Sequence, residues 1–276
     1  MKRAHGNAYD PARAASYWGG ARHERHDELA AVLSLGEPRT VNEAYDAWET
    51  GLLLRSIEGR VFRRGLDLGT GVGRIAIRIA DRLTRIVGAD LAPGMLERAR
   101  RNAALAGVEN LDPVRLCSDR LPFRDQSFDL VVCLGLLEHL PPPARSATLR
   151  ECARVLTTGG VLALTLNNSR SALLRDPSDN PHRDGLQQES GYYCAIVAEA
   201  ALVDEVSEEF EDRVAGSNLF YSLHRHAARR LPDSARRSPG LGPFFQCAAA
   251  WDVAVRPLGP LPSSAADHHL HILVRR

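Results

Sequence analysis

Leu66-Asp67-Leu68-Gly69-Thr70-Gly71-Val72-Gly73-Arg74 is the stretch on which the reading of the whole chain turns. Its apolar start reads as a strand and the amphipathic segment after Gly73 reads as a helix. Three alternate glycines join them. With no side chains in the way, a ligand can lie against this backbone while N–H groups of the helix start point toward it. The dinucleotide fingerprint G-x-G-x-x-G is the nearest competitor, but its third glycine falls on Arg74. The spacing here is G-x-G-x-G, which disfavours a pyrophosphate cradle and makes a nicotinamide-dinucleotide oxidoreductase the weaker reading.

Working outward, short apolar runs alternate with amphipathic segments. Strands are expected near 64–68, 85–90, 113–117, 128–134 and 160–167, and helices near 73–83, 93–106, 143–156 and 191–201. Such alternation marks a parallel sheet with helices on both faces, because each parallel crossover needs a covering helix. Pro93 suits the first turn of one helix, Gly107 its end, and Gly159-Gly160 the turn into the last of these strands. Residues 1–60 read as an N-terminal helical cap: Leu29, Ala30, Val32, Leu33 and Leu35 cluster before Pro38, and Ala44, Ala47, Trp48, Leu52 and Leu53 recur after it. Residues 61–276 then form the main α/β domain. Within it, 168–190 reads as a long loop of the kind that serves as a lid. The stretch 211–266 reads as a second insertion, with a helix near 217–231, a Pro/Gly/Ser-rich wrap over 232–266 and a closing strand at 269–275.

The 276 residues are 44% hydrophobic and 25% charged, enough to bury a sizeable core. Lys and Arg number 35 against 34 acidic residues, so no overall positive field draws the chain to nucleic acid or an anionic membrane. The late run His224, Arg225, His226, Arg229, Arg230, Arg236 and Arg237 reads as a solvated face. No apolar run approaches the roughly 20 residues of a membrane span, and Met1 to His26 lacks the apolar core of a secretory signal. Cys117, Cys133, Cys152, Cys194 and Cys247 are odd in number and include no C-x-x-C pair. They read as reduced thiols, with Cys117 and Cys133 in strands. A cytoplasmic setting without structural zinc is the expectation.

Two further acids stand at strand ends. Asp90, 23 residues after Asp67, closes the second strand, where a carboxylate can accept from both hydroxyls of a ribose. Asp119 follows the third strand and can accept from an adenine amino group between apolar neighbours.

Together these residues resemble the class I S-adenosylmethionine-dependent methyltransferases, particularly the ubiquinone/menaquinone-biosynthesis-like, small-molecule branch. The carriers lie within about 62–168: the glycine loop 66–74, Val87 to Leu91, Ser118-Asp119 with Leu121-Pro122-Phe123, Ser127 to Val132, Leu137-Glu138-His139-Leu140, and Arg154-Val155-Leu156 before Gly159-Gly160. The resemblance implies a Rossmann-like, seven-stranded, mostly parallel sheet with an antiparallel last strand, for which His269 to Val274 is the candidate. It implies S-adenosyl-L-methionine as cofactor. Asp67, Gly69, Thr70, Gly71 and Gly73 would lie beside the methionine portion, and Asp90 would hold the ribose. Leu91 and Met95 would flank the adenine, with Ser118, Asp119 and Arg120 at its amino end. Arg120 departs from the family, which often has a small residue there. Leu134 and Gly135 would face the sulfonium.

Methyl transfer to a small organic acceptor, on oxygen, nitrogen or carbon and in natural-product or specialised metabolism, is the activity this implies. Alignment is the enzyme's main task, and a base is needed only where the acceptor loses a proton. His139 is the candidate base, and Asn167 and Asn168 are candidates for acceptor contacts. Tyr17, Trp18, Trp48, Glu49, Tyr221, Phe244 and Phe245 would line the acceptor pocket or pack a cap. No metal site is expected: of His268, His269 and His271 only the last two share a strand face. A second reading remains open, a catalytically inactive cofactor-binding partner that stabilises or regulates another enzyme, because this fold has no obligatory catalytic residue.

Overall fold

The computed structural model describes residues 9–20, 28–34, 37–168, 170–171, 184–186, 192–196, 199–255 and 266–276. Most of the expected lid, and residues 256–265 of the expected wrap, lie outside these described residues. In chain order the elements are α1 (Pro11–Gly19), α2 (Glu28–Val32), α3 (Arg39–Ser56), β1 (Phe62–Leu68), α4 (Arg74–Ile79), β2 (Leu83–Asp90), α5 (Pro93–Leu105), β3 (Leu111–Arg115), β4 (Phe128–Cys133), α6 (Pro142–Val155) and β5 (Leu156–Asn167). There follow β6 (Asp184–Leu186), β7 (Tyr193–Ala195), α7 (Glu199–Val206), β8 (Phe210–Ser217), α8 (Leu219–Arg229), α9 (Asp233–Arg236), α10 (Gly242–Ala254) and β9 (His268–Arg275).

One seven-stranded sheet has the order β3-β2-β1-β4-β5-β9-β8. The five strands from β3 to β5 run parallel, and β9 lies antiparallel between β5 and β8. The Rossmann-like α/β fold with an antiparallel closing strand is thus as expected. Side chains alternate along β4: Leu130 and Val132 enter one core with Trp48, Leu52, Leu53 and Phe245, while Val131 and Cys133 enter the other with Leu149 and Cys152. Both layers are buried, and full burial of each large aliphatic side chain contributes about 1.5–3 kcal/mol.

Several boundaries differ from the sequence reading. β3 begins two residues earlier than the expected 113, placing Cys117 beyond the strand; Pro113 is accommodated because β3 is the sheet edge and pairs only with β2. The expected helix at 191–201 is instead the short strand β7, paired with β6, followed by α7. Tyr193 and Cys194 suit a strand better than a helix. The stretch 211–266 was expected as an insertion on the acceptor side. It supplies most of the sheet strand β8 and the helix α10, whose Phe245 and Ala249 pack in the main core with α3. Likewise α3, part of the expected cap, puts Trp48, Leu52 and Leu53 fully out of solvent beneath the sheet. No helix among the described residues is long and apolar enough to cross a membrane.

Candidate active site

Strand order reverses between β1 and β4, so the loops leaving their carboxyl ends diverge and a crevice opens between them. A cavity of about 750 Å³ occupies it. Asp67, Gly69, Thr70, Gly71, Asp90, Leu91, Met95, Ser118, Asp119, Leu134, Gly135 and His139 all line this cavity. Two of the expected residues do not. Gly73 sits behind the loop with φ +82°, starting α4, and Arg120 is exposed, its long side chain turned to water.

The loop after β1 is fixed from several sides. The Gly69 and Thr70 N–H groups donate to the Ala89 carbonyl at 2.8 and 3.0 Å. Thr70 Oγ1 donates to Asp67 at 2.8 Å. Burial pushes the Asp67 carboxyl up to about 6, against the Thr70 hydrogen bond and the Arg74 charge. Gly71 has φ +54°, and a Cβ there would stand 2.6 Å from Val32 Cγ1, so α2 presses directly on the loop. Asp90 accepts from Gly71 N–H at 2.9 Å and Ala92 N–H at 2.8 Å. Burial raises this carboxyl despite those bonds. The Leu91 N–H also bonds it, and a carboxylate offers about four acceptor positions, so acceptor capacity toward the cavity remains.

Past β3, Ser118 Oγ shares a hydrogen bond of 2.9 Å with Thr148, which anchors that turn to α6, and Asp119 stands exposed at the cavity rim. After β4, Gly135 has φ +66°, and a Cβ built on it would meet only Glu138 Oε1, at 4.0 Å. A side chain there would project into the cavity. The His139 Nδ1 lies 3.1 Å from the Tyr193 carbonyl. A carbonyl only accepts, so Nδ1 carries the hydrogen and the neutral ring has its lone pair on Nε2. Trp18 and Tyr192 pack on this ring at 5.0 and 5.3 Å between centroids.

Glu138, beside it, was not among the expected site residues. Burial pushes its carboxyl up to about 7, with the Glu49 charge adding and its own backbone N–H and Arg145 opposing. Its place after β4 was visible in the sequence, but its enclosure depends on Glu49 arriving from α3.

The side of the cavity away from the glycine loop is built by α3, α8 and β9. Tyr45 contacts His268 edge to face at 5.2 Å. Asn218 Nδ2 donates to His268 Nδ1 at 3.1 Å, and burial pushes the imidazole down to about 4, so it is neutral at physiological pH. Glu49 lies fully buried on the floor, accepting from Thr165 Oγ1 at 2.7 Å and paired with Arg74. Of the residues that could line a pocket or pack a cap, Tyr17, Trp18, Glu49 and Tyr221 line the cavity, whereas Trp48 and Phe245 are core and Phe244 faces solvent. Asn167 lines the cavity, but Asn168 turns away to donate to the Ala266 carbonyl at 2.7 Å.

The basic run also divides. His224, Arg230 and Arg237 are exposed, while Arg225, Arg229 and Arg236 turn into the cavity wall. Their signal was the spacing of Tyr221, Arg225 and Arg229, four residues apart and therefore on one helix face. Among the described residues, no three His, Cys, Asp or Glu side chains gather as metal ligands.

A parallel sheet reversing at β1/β4, an antiparallel strand closing it, a glycine loop after β1 and acids after β2 and β3 together define a Rossmann-like α/β fold with a ligand crevice at the reversal. Residues 66–160 match the family described as a methyltransferase domain. The uncharacterized methyltransferase YcgJ of Bacillus subtilis is 33% identical over 112 residues, covering 41% of this chain and 44% of YcgJ. A ubiquinone biosynthesis O-methyltransferase of Xanthomonas euvesicatoria is 36% identical over 110 residues, covering 40% of this chain and 45% of that protein. The chain thus spans about half the length of the curated relatives it matches. The crystal structure of YcgJ shares the fold with a TM-score of 0.55 at 19% identity, covering 83% of this chain and 98% of YcgJ. That of PH0226 from Pyrococcus horikoshii does so with a TM-score of 0.56 at 15% identity, covering 85% and 92%.

Proposed function

We propose that this chain is an S-adenosylmethionine-dependent methyltransferase acting on an oxygen of a small organic acceptor. The observation that carries the reading is a single continuous cavity. It runs from the glycine loop and Asp90, past Gly135, to a separate set of aromatic and polar walls on α3, α8 and β9. The relative named as an O-methyltransferase favours oxygen. The residues present suit the donor: side-chain-free backbone at Gly69 and Gly71, acids at Asp67 and Asp90 for a cationic amino-acid end and a ribose, and Leu91 and Met95 for an adenine.

The donor, when bound, supplies an electrophilic methyl group on a sulfonium. The chain's own task is to hold the acceptor oxygen in line with that carbon and to exclude water. Tyr17, Trp18 and Tyr192 enclose the cavity beside His139. Proton removal falls to Glu138 or to His139 through Nε2. Because Glu138 is raised to about 7, its basic form is lost as pH falls. With Glu138 as base, kcat/KM declines about tenfold per pH unit below 6 and is level above 8. Glu138→Gln abolishes that dependence with a loss of about 100-fold or more, whereas His139→Ala keeps it. A pH profile of both variants checks the assignment, and an unchanged profile in Glu138→Gln passes the role to His139.

Calorimetry with S-adenosylmethionine and S-adenosylhomocysteine, followed by transfer of labelled methyl to a panel of hydroxyl acceptors, tests the whole reading. Stoichiometric binding with label on oxygen is the expected outcome; no binding by the folded chain overturns it. Tight cofactor binding without methyl transfer to any acceptor would instead favour an inactive, partner-stabilising role.

A further inference from the structure

We propose that His268 positions the acceptor through a hydrogen bond donated from its Nε2–H, and that the acceptor therefore carries, besides the hydroxyl that reacts, a carbonyl-type oxygen that accepts. This rests on the methyltransferase reading for the reacting hydroxyl. The direction of the His268 hydrogen bond stands on the protein's own network.

Asn218 sets that direction. It lies fully buried between β8 and α8, and its side chain fits only one way round. Oδ1 accepts from the Asp267 N–H at 3.0 Å, the His268 N–H at 2.8 Å and Ser222 Oγ at 3.0 Å. Backbone N–H groups only donate, so this end of the amide is the oxygen and the other is the NH2. Nδ2 then donates to His268 Nδ1 at 3.1 Å, which leaves the neutral imidazole its hydrogen on Nε2. Nε2 has no acceptor among the described residues and is not sealed from solvent, so this hydrogen opens on the cavity that the ring lines.

Position agrees with direction. His268 of β9 stands opposite Asn167 of β5, and opposed residues of an antiparallel pair share a face, so both side chains meet the cavity. Tyr45 packs on His268, and burial raises its hydroxyl with the Glu49 and Glu138 charges adding, so this ring stands between His268 and Glu138. Tyr221 lies beside it at 5.7 Å between centroids. Such walls suit a flat aromatic body. With its hydroxyl at Glu138, the body presents its opposite side to His268, where a carbonyl accepts and an ammonium would set donor against donor.

The test has two arms on the full chain saturated with S-adenosylhomocysteine. Proton–nitrogen NMR of labelled histidine reads the tautomer, with the His268 signals identified by their loss in His268→Phe. Hydrogen on Nε2 is expected; hydrogen on Nδ1 overturns the proposal. Calorimetry then compares meta- and para-hydroxyacetophenone with the matching ethylphenols and with para-hydroxybenzylamine. At least one ketone is expected to bind about tenfold tighter than its ethylphenol, the scale of one hydrogen bond in a desolvated site, and the ammonium no tighter than the ethylphenol. His268→Phe should erase that preference with S-adenosylhomocysteine still bound, and His268→Gln, whose amide can accept from Asn218 and donate onward, should restore part of it. Equal binding, no binding of either ketone, tighter binding of the ammonium, or a preference that survives His268→Phe overturns the proposal. Failure of the methyltransferase reading registers separately, as no S-adenosylhomocysteine binding by the wild-type chain, and the tautomer and the ketones are then read on the chain alone.

Discussion

Asp90→Ala binds S-adenosylmethionine about 100-fold more weakly than the parent chain, the loss expected for two hydrogen bonds to an ionised carboxylate. The carboxylate has two duties. Under the proposed function its acceptor capacity toward the cavity would meet the ribose, and its bonds to Gly71 N–H and Ala92 N–H hold the glycine loop against the start of α5. Asp90→Asn keeps one accepting oxygen and should recover roughly a tenth of the affinity, with both variants folded by circular dichroism. Calorimetric titration reads the effect directly. Wild-type affinity in Asp90→Ala would mean that the ribose is held elsewhere.

Arg74→Met lowers the unfolding midpoint by about 10 °C, from a cost of about 3–5 kcal/mol when one partner of a buried ion pair is removed. Arg74 donates to Asp46 at 2.8 Å and is paired with Glu49, whose side chain is 1% exposed. Asp46 retains Arg78, but among the described residues Glu49 is left with hydroxyl donors, Thr165 and a long contact from Tyr45. Glu49→Gln in the Arg74→Met background should therefore restore part of the loss, and Arg74→Lys should fall between because its ammonium cannot fork to two carboxylates. Scanning calorimetry of the parent, Arg74→Met, Glu49→Gln and the double variant checks the cycle, with Arg74→Lys beside them. Additive losses would show that Arg74 and Glu49 are not coupled.

Arg74 also explains where the sequence was informative and where it was not. Its place in the glycine loop weakens the dinucleotide reading, but its partners lie 25 and 28 positions earlier on α3. Nothing local announces them. The central strands were legible because apolar runs bounded by Gly, Asp and Pro leave few alternatives, and the cavity-lining residues after β1, β2 and β3 were legible because they follow strand ends. β8 was hidden: Phe210 to Ser217 carries two acids and an arginine, and only pairing with β9 makes it a strand. α10 was hidden by Gly242 and Pro243, which lie at its first turn and not within a loop. His268 was weighed only as a metal ligand, because its role depends on Tyr45 and Asn218 meeting it from two other elements.

The insertion of β9 between β5 and β8 has a consequence for how the sheet assembles. Among the described residues β8 pairs with no strand but β9, so it stays an orphan until residues 268–275 have emerged from the ribosome. The five parallel strands can zip progressively as they are made, whereas the last two must dock together in one late, long-range step. Nascent chains stalled before residue 268 should accordingly expose an unpaired β5 edge, the point at which synthesis of this protein is most open to misassembly.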